Sequence, residues 1–281
     1  MRLRNAHLLA MLFMGMVLFP PTAQAGALPR VAAVSVCADQ FLLMLADKRQ
    51  ITSLSWQAES PISFHAEAAK GIPQNKGSAE ELLLQNAELV VMNQGSAAAL
   101  KDVLQRFGVK VFELPLSVRF GEVEETVLKL SEELGRPERG AALVAEMRAR
   151  LAAIESSAPE KGPFALYYRS GGGGAGADTF VHTVMEEAGL RNMQAEIGHQ
   201  GWMSLPLEHA VLDPPKAFVT SFFDSPFASV RSAFRFNPVF WELAEGKPLY
   251  EVPGEFWPCA SPLLVNAAEA LADQLRKESG S

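Results

Sequence analysis

The sequence predicts an α/β protein of two lobes joined by one helical segment. Three observations carry this reading. Strand and helix patterns alternate from Arg30 to Leu114, which argues for a parallel sheet with helices on both faces. No strand signal occurs from Gly121 to about Ser157. The alternation then resumes at Phe164 and runs to the last helix.

In chain order, RVAAVSVC (Arg30 to Cys37) is a short β-branched and small-residue run and predicts a buried strand. ADQFLLMLADK spaces Phe41, Leu42 and Leu45 as a helix does, and ITSLSW (Ile51 to Trp56) predicts the next strand. A polar loop with Pro61 and Pro73 follows. Ser78 and Glu81 form a capping-box pattern that opens a helix. ELVVMN (Glu88 to Asn93) is a strand, Ala97 to Phe107 a helix, and VKVFEL (Val109 to Leu114) a strand.

EVEETVLKLSEELG reads as one helix ending at Gly135, and Pro137 starts a second with many good helix formers. At 1.5 Å per residue this second helix is ~30 Å long, long enough for a rigid strut. Beyond it, FALYYRS is a strand and TFVHTVMEEAG a helix stopped by Gly189. A helix opened by Glu208 ends at Pro214-Pro215, KAFVTSFF is a strand, PVFWELAEG a helix and PLYEVP a strand. The last helix runs from about Pro262 to Lys277. The expected organisation is an N-terminal lobe over 26–120, a helical segment over 121–160 and a C-terminal lobe over 161–281.

The first 25 residues are expected to lie outside the fold. Arg2 and Arg4 precede an apolar run from Leu8 to Phe19 and a small-residue site at Ala23-Gln24-Ala25, the order of a secretory signal peptide cut after Ala25. The run is too short to span a bilayer comfortably, and no later segment is long and apolar enough, so a soluble exported protein is expected. Removing Arg2 and Arg4 takes the formal charge from −7 to −9. That acidic balance offers no electrostatic basis for nucleic-acid binding.

The two cysteines, Cys37 and Cys259, fit an oxidising compartment either as a structural disulfide or as buried thiols. No catalytic set assembles: there is no GxSxG elbow, no HExxH and no carboxylate pair, and the scattered histidines do not complete a metal site. GGGGAGAD (Gly171 to Asp178) lies between a strand and a helix but lacks a Gly-Lys-Ser/Thr, so it reads as a strand-to-helix turn on the cleft side. Trp56, Tyr168, Trp202, Phe222, Phe223 and Trp257 fall at or beyond the carboxyl ends of predicted strands. Open α/β sheets bind ligands at that edge, so the set points to a binding cleft.

One unit occurs twice. SAEELLLQNAELVV (Ser78 to Val91) and PLEHAVLDPPKAFV (Pro206 to Val219) each place a Glu early in a short helix pattern, then a polar break, then a strand. Glu80 and Glu208 hold the same place in the two. A first-turn carboxylate complements the helix dipole, which explains either Glu alone but not the match.

Taken together, RVAAVSVCADQFLLMLA, GSAEELLLQNAELVVM, FGVKVFELP, VMEEAGLRNM, GWMSLPLEHAVLDPPKAFVT and FWPCASPLLVNAAEALADQL resemble, in this order, the periplasmic binding proteins of ABC importers for vitamin B12, haem and ferric siderophores. The likeness is greatest to the members that bind B12. It implies two Rossmann-like lobes bridged by a single long α-helix, with the ligand cleft between them. It implies a bulky metal-chelate ligand, no catalysis, no resident cofactor or metal, and a monomer that delivers to an ABC permease dimer with its ATPase. Glu80 and Glu208 match the two exposed glutamates that dock onto permease arginines. Trp56, Tyr168, Trp202 and Trp257 match the cleft aromatics, Phe223 joins the expected ligand set by its place beyond a strand end, and Asn93 stands where the B12-binding members have an aromatic. Cys37 and Cys259 fall at cleft-facing positions of opposite lobes, where they meet as a disulfide or one of them touches a metal-centred ligand. The alternatives are a secreted α/β enzyme using Cys37 or the glycine loop, and a sensor for a membrane receptor.

Overall fold

A computed structural model describes residues 27–157, 162–169, 172–203, 207–221 and 236–279, with the side chains of Leu207, Glu208 and Ser279 outside the description. The signal-peptide reading, Phe222 and Phe223 fall outside the described residues.

The N-terminal lobe contains β1 (Val31–Ala33), α1 (Val36–Leu45), β2 (Ile51–Ser55), α2 (Ala66–Ala69), β3 (Gln74–Asn75), α3 (Ala79–Leu84), β4 (Leu89–Asn93), α4 (Ala98–Arg106) and β5 (Lys110–Leu114). Its strands form one sheet in the order β3-β2-β1-β4-β5, with every neighbouring pair parallel. Parallel strands are covered on both faces, and β1 and β4 accordingly read as apolar runs rather than alternating ones.

Two helices follow, α5 (Phe120–Glu133) and α6 (Pro137–Ser157). The C-terminal lobe contains β6 (Phe164–Arg169), β7 (Gly174–Ala175), α7 (Phe180–Glu187), β8 (Arg191–Asn192), α8 (Met193–Glu196), β9 (Trp202–Met203), α9 (Leu207–Leu212), β10 (Ala217–Ser221), α10 (Pro238–Ala244), β11 (Leu249–Val252) and α11 (Leu264–Ser279). Its main sheet is parallel in the order β11-β10-β6-β8, and β7 pairs β9 antiparallel.

The two lobes share one topology. In each, the first strand (β1 or β6) sends the chain to one side, and the chain then crosses back to the strand on its other side (β4 or β10). The repeated sequence unit is that return. Helix α3 and helix α9 each precede the returning strand, and Leu89 follows Leu84 by the same five positions that separate Ala217 from Leu212.

Helix α6 bridges the lobes. Its first residue is Pro137, whose missing amide proton costs nothing in a first turn. Before and within that turn, Arg136 and Arg139 pair with Asp47, and Arg139 donates to the Leu45 and Ala46 carbonyls at the end of α1. Farther along, Arg150 makes a two-pronged contact with Glu269 of α11, and Arg276 of α11 reaches the Ser157 hydroxyl at 2.6 Å. Gly140 permits close approach to α5, since a Cβ there would lie 2.0 Å from Ser131 Oγ. Val144, Met147 and Ile154 of α6 join a hydrophobic core that runs through both lobes, from Leu42 and Val91 to Val219 and Leu271. Each such buried aliphatic side chain contributes about 1.5–3 kcal/mol.

One expected boundary moves. The strand predicted over Arg30–Cys37 ends at Ala33, because Ser35 caps a helix instead: its Oγ accepts from the Ala38 amide at 3.2 Å. Cys37 therefore lies in the first turn of α1. The Ser78 cap is present, its Oγ accepting from the Glu81 amide, while the Glu81 carboxylate turns outward to the Lys76 amide.

Candidate ligand cleft

A cavity of about 290 Å³ lies between the lobes, and the carboxyl ends of β4 and β5 border it. The N-terminal lobe supplies Cys37 and Phe41 from α1, Asn93 from the end of β4, and the loop from Leu114 to Val118. The C-terminal lobe supplies Asp178, Phe180, Trp202 and the run Pro258-Cys259-Ala260. A wider concavity of about 650 Å³ lies against β5 and α5 on the outer side of the 115–118 loop, and it contains none of the residues predicted for the site.

Cys37 and Cys259 form a disulfide in the cavity wall, with Cα atoms 5.5 Å apart. Neither sulfur is then a thiol, so neither serves as nucleophile or metal-ligating thiolate. Close by, Ser261 Oγ donates to Gln40 Oε1 at 3.2 Å, and Phe64 packs on Phe256 at 5.6 Å, so the lobes touch at several points along this seam.

Asn93 occupies the switch point where the strand order reverses. Its Oδ1 accepts from Ser35 Oγ at 2.9 Å, tying the end of β4 to the turn after β1. The 115–118 loop is held from both lobes. Val118 donates its amide to Glu122 at 2.8 Å, which holds that carboxyl below its ordinary range, and the Val118 carbonyl accepts from Thr183 Oγ1 of α7 at 2.7 Å.

Trp202 stands on β9 opposite Ala175 of β7 and is half-exposed toward the cavity. Phe180 meets its ring edge-on at 5.1 Å, and the Arg169 guanidinium lies 5.9 Å from its centroid. The glycine run is what lets this ribbon form. A Cβ on Gly176 would lie 2.3 Å from the His199 carbonyl oxygen. Asp178 closes the run with φ of 59°, a conformation that Asp tolerates better than most residues.

Of the residues predicted to touch ligand, the cavity wall brings together Cys37, Asn93, Trp202 and Cys259. Trp56 follows β2, is 62% exposed and lies outside that wall. The buried carboxylate of Asp39 holds this corner by accepting from the Ser55 amide and hydroxyl. Tyr168 is placed in the core, stacked on Phe240 at 4.6 Å. Trp257 is also buried and packs on Tyr167 at 5.8 Å. The alternation of a strand explains the difference: Tyr167 and Tyr168 point to opposite faces of the sheet, and each face is covered by aromatic rings. Glu80 is exposed on the first turn of α3, and Glu208 is the second residue of α9.

Sequence reasoning missed Phe41, the 115–118 loop, Asp178 and Phe180. The loop follows the carboxyl end of β5, so the sheet-edge rule that selected the aromatics also applied to it. Apart from Asn93, Ser117 and Asp178, the described side chains of the wall are apolar or part of the disulfide. Such a surface suits a large apolar face with a few hydrogen-bonding points. Among the described residues, no group of three or more His, Cys, Asp or Glu side chains is placed to hold a metal ion.

The architecture is similar to that of several solved structures. A periplasmic haem-binding protein from Vibrio cholerae superimposes with a TM-score of 0.73 at 14% identity, covering 88% of this chain and 98% of that one. A periplasmic haem-binding protein from Pseudomonas aeruginosa gives 0.69 at 21% identity over 88% and 92%. The periplasmic vitamin B12-binding protein of V. cholerae gives 0.66 at 14% identity over 90% and 99%. In sequence, the chain is 24% identical over 196 residues to a cobalamin-binding protein of Halobacterium salinarum, a match covering 68% of this chain and 53% of that protein. The chain thus spans about half the length of the curated relatives it matches. The model of the periplasmic binding protein family matches residues 31–222, from β1 to the residue after β10, and the chain belongs to that family.

Proposed function

We propose that this protein is the solute-binding component of an ABC importer, exported to the periplasm after cleavage of a signal peptide at Ala25. It captures a bulky metal chelate (a corrinoid, a haem or a ferric siderophore) and carries it as a monomer to a permease dimer with its ATPase. The observation that carries the reading is the largely apolar cavity built from both lobes, with Asn93 on one side and Trp202 on the other. The names of its relatives, which bind cobalamin, vitamin B12 or haem, support the ligand class. No helix among the described residues is long and apolar enough to cross a membrane.

In this reading the ligand lies against Trp202 and the disulfide, with Asn93 and Asp178 as polar contacts. Trp56 contributes from the rim, and Phe223 is a further ligand contact. Glu80 and Glu208 engage basic residues of the permease, one per lobe. Charged pairs of this kind orient a complex and speed its formation more than they tighten it.

The test is titration of the purified Gly26–Ser281 chain with cobalamin, cobinamide, haemin and several ferric siderophores, followed by tryptophan fluorescence and thermal shift. Saturable quenching with one class supports the reading and names the cargo. A flat response to all of them removes the metal-chelate assignment.

A further inference from the structure

The internal repeat preserves more than its glutamates. Aligning Ser78–Val91 with Pro206–Val219 leaves three identical positions: Glu80 with Glu208, Leu84 with Leu212, and Val91 with Val219. The valines are fully buried in β4 and β10, so packing accounts for them. Packing does not account for the leucines. Leu84 is 74% exposed and Leu212 is 85% exposed, while Leu82 and Ala210, two positions earlier in the same helices, are completely buried. Each lobe therefore buries the fourth residue of its six-residue helix and leaves a leucine in water at the sixth.

Glu80 and Leu84 are four positions apart, so they share one helix face, separated by about one turn. Glu208 and Leu212 have the same spacing on α9. Among the described residues Glu80 makes no ion pair, and its carboxylate is free for a cation. A single exposed leucine is ordinary on a protein surface. Two at equivalent positions of a repeat that has otherwise diverged, each four residues after a glutamate, are a matched pair.

We propose that Leu84 and Leu212 are the two apolar anchors of a docking surface, one per lobe, for a two-fold symmetric partner that presents a basic side chain beside an apolar socket twice. The inference rests on the docking reading above and adds to it the groups that hold the complex together. The glutamates give attraction and register. The leucines lose water-exposed apolar surface on contact and slow dissociation. A second copy of this chain is a poorer occupant of the same surface, because it sets glutamate against glutamate.

The experiment is biolayer interferometry of the full exported chain on the permease dimer and ATPase from the same genome, held in nanodiscs, at low and high salt. The variants are L84N, L212N, the double L84N/L212N, and E80Q/E208Q. Each single leucine variant is expected to bind about 10-fold more weakly and the double about 100-fold, chiefly through faster dissociation. That loss is expected to persist at high salt, whereas the loss in E80Q/E208Q shrinks. Melting temperature and cargo titration of the leucine variants should match the parent. If L84N/L212N binds within about twofold of the parent while E80Q/E208Q is impaired, the leucine inference fails and the docking reading stands. If neither pair matters, both fail. Loss of self-association in sedimentation velocity, with permease binding intact, would also overturn the inference in favour of a second copy.

Discussion

Cys37 and Cys259, 222 positions apart in the chain, join the two lobes through a disulfide whose Cα atoms lie 5.5 Å apart in the wall of the cleft. Helix α6 ties the lobes from α1 to α11, and the disulfide adds a second, covalent tie at the ligand cavity itself. Closing so long a loop restricts the unfolded chain, and losing the bond is expected to cost about 2–5 kcal/mol. Urea unfolding of oxidised, reduced and C37A/C259A protein measures this. Superimposable curves for the three would show that the bond adds nothing.

Asp39 links stability to pH. It is buried, and desolvation raises its carboxyl from the ordinary 3.8 to about 7, against the two bonds from Ser55, which act to lower it. The folded value lies above the unfolded one, so the folded state binds the extra proton. The stability this group contributes is fully present below 3.8 and is lost as pH rises through about 7. Across that window the parent is expected to lose stability relative to D39N, by on the order of 1 kcal/mol per pH unit at the steepest. A difference between the two that stays flat with pH would contradict the assignment.

Trp202 is the aromatic proposed to touch cargo. It is 48% exposed, so its removal leaves little void. W202A is expected to melt within a few degrees of the parent and to bind the preferred chelate at least about 10-fold more weakly. Retained affinity in fluorescence-independent calorimetry would remove Trp202 from the site.

Gly176 follows the β7 residue that pairs with Trp202, and its amide donates to the Gly201 carbonyl at 3.0 Å. An added methyl would meet the His199 carbonyl oxygen, which is backbone and cannot swing aside. G176A is expected to cost about 1–3 kcal/mol and to disturb the β7–β9 ribbon. Thermal unfolding and the Trp202 emission of a variant lacking the other tryptophans check both effects. An unchanged melting point would show that the ribbon relaxes freely.

The sequence by itself determined the elements whose signals lie within a turn or a few residues. Pro137 opens α6, Ser78 caps α3, and the apolar runs at Leu89–Asn93, Lys110–Leu114 and Ala217–Ser221 form the strands expected of them. The repeat around Glu80 and Glu208 was equally legible, because both copies keep the same spacing from helix to strand. The strands β3, β7, β8 and β9 have two residues each and carry no periodicity to read. Ser35 stood between a strand pattern and a helix pattern, and its capping bond settled the boundary. Tertiary structure alone decided which face of β6 receives Tyr168, that the two cysteine side chains meet, and that Trp257 does not wall the cleft. Local backbone preference depends on near neighbours, which a sequence displays directly. The direction a side chain takes into a shared core depends on packing against residues far along the chain, as Tyr168 stacks on Phe240 of α10 rather than on its chain neighbours.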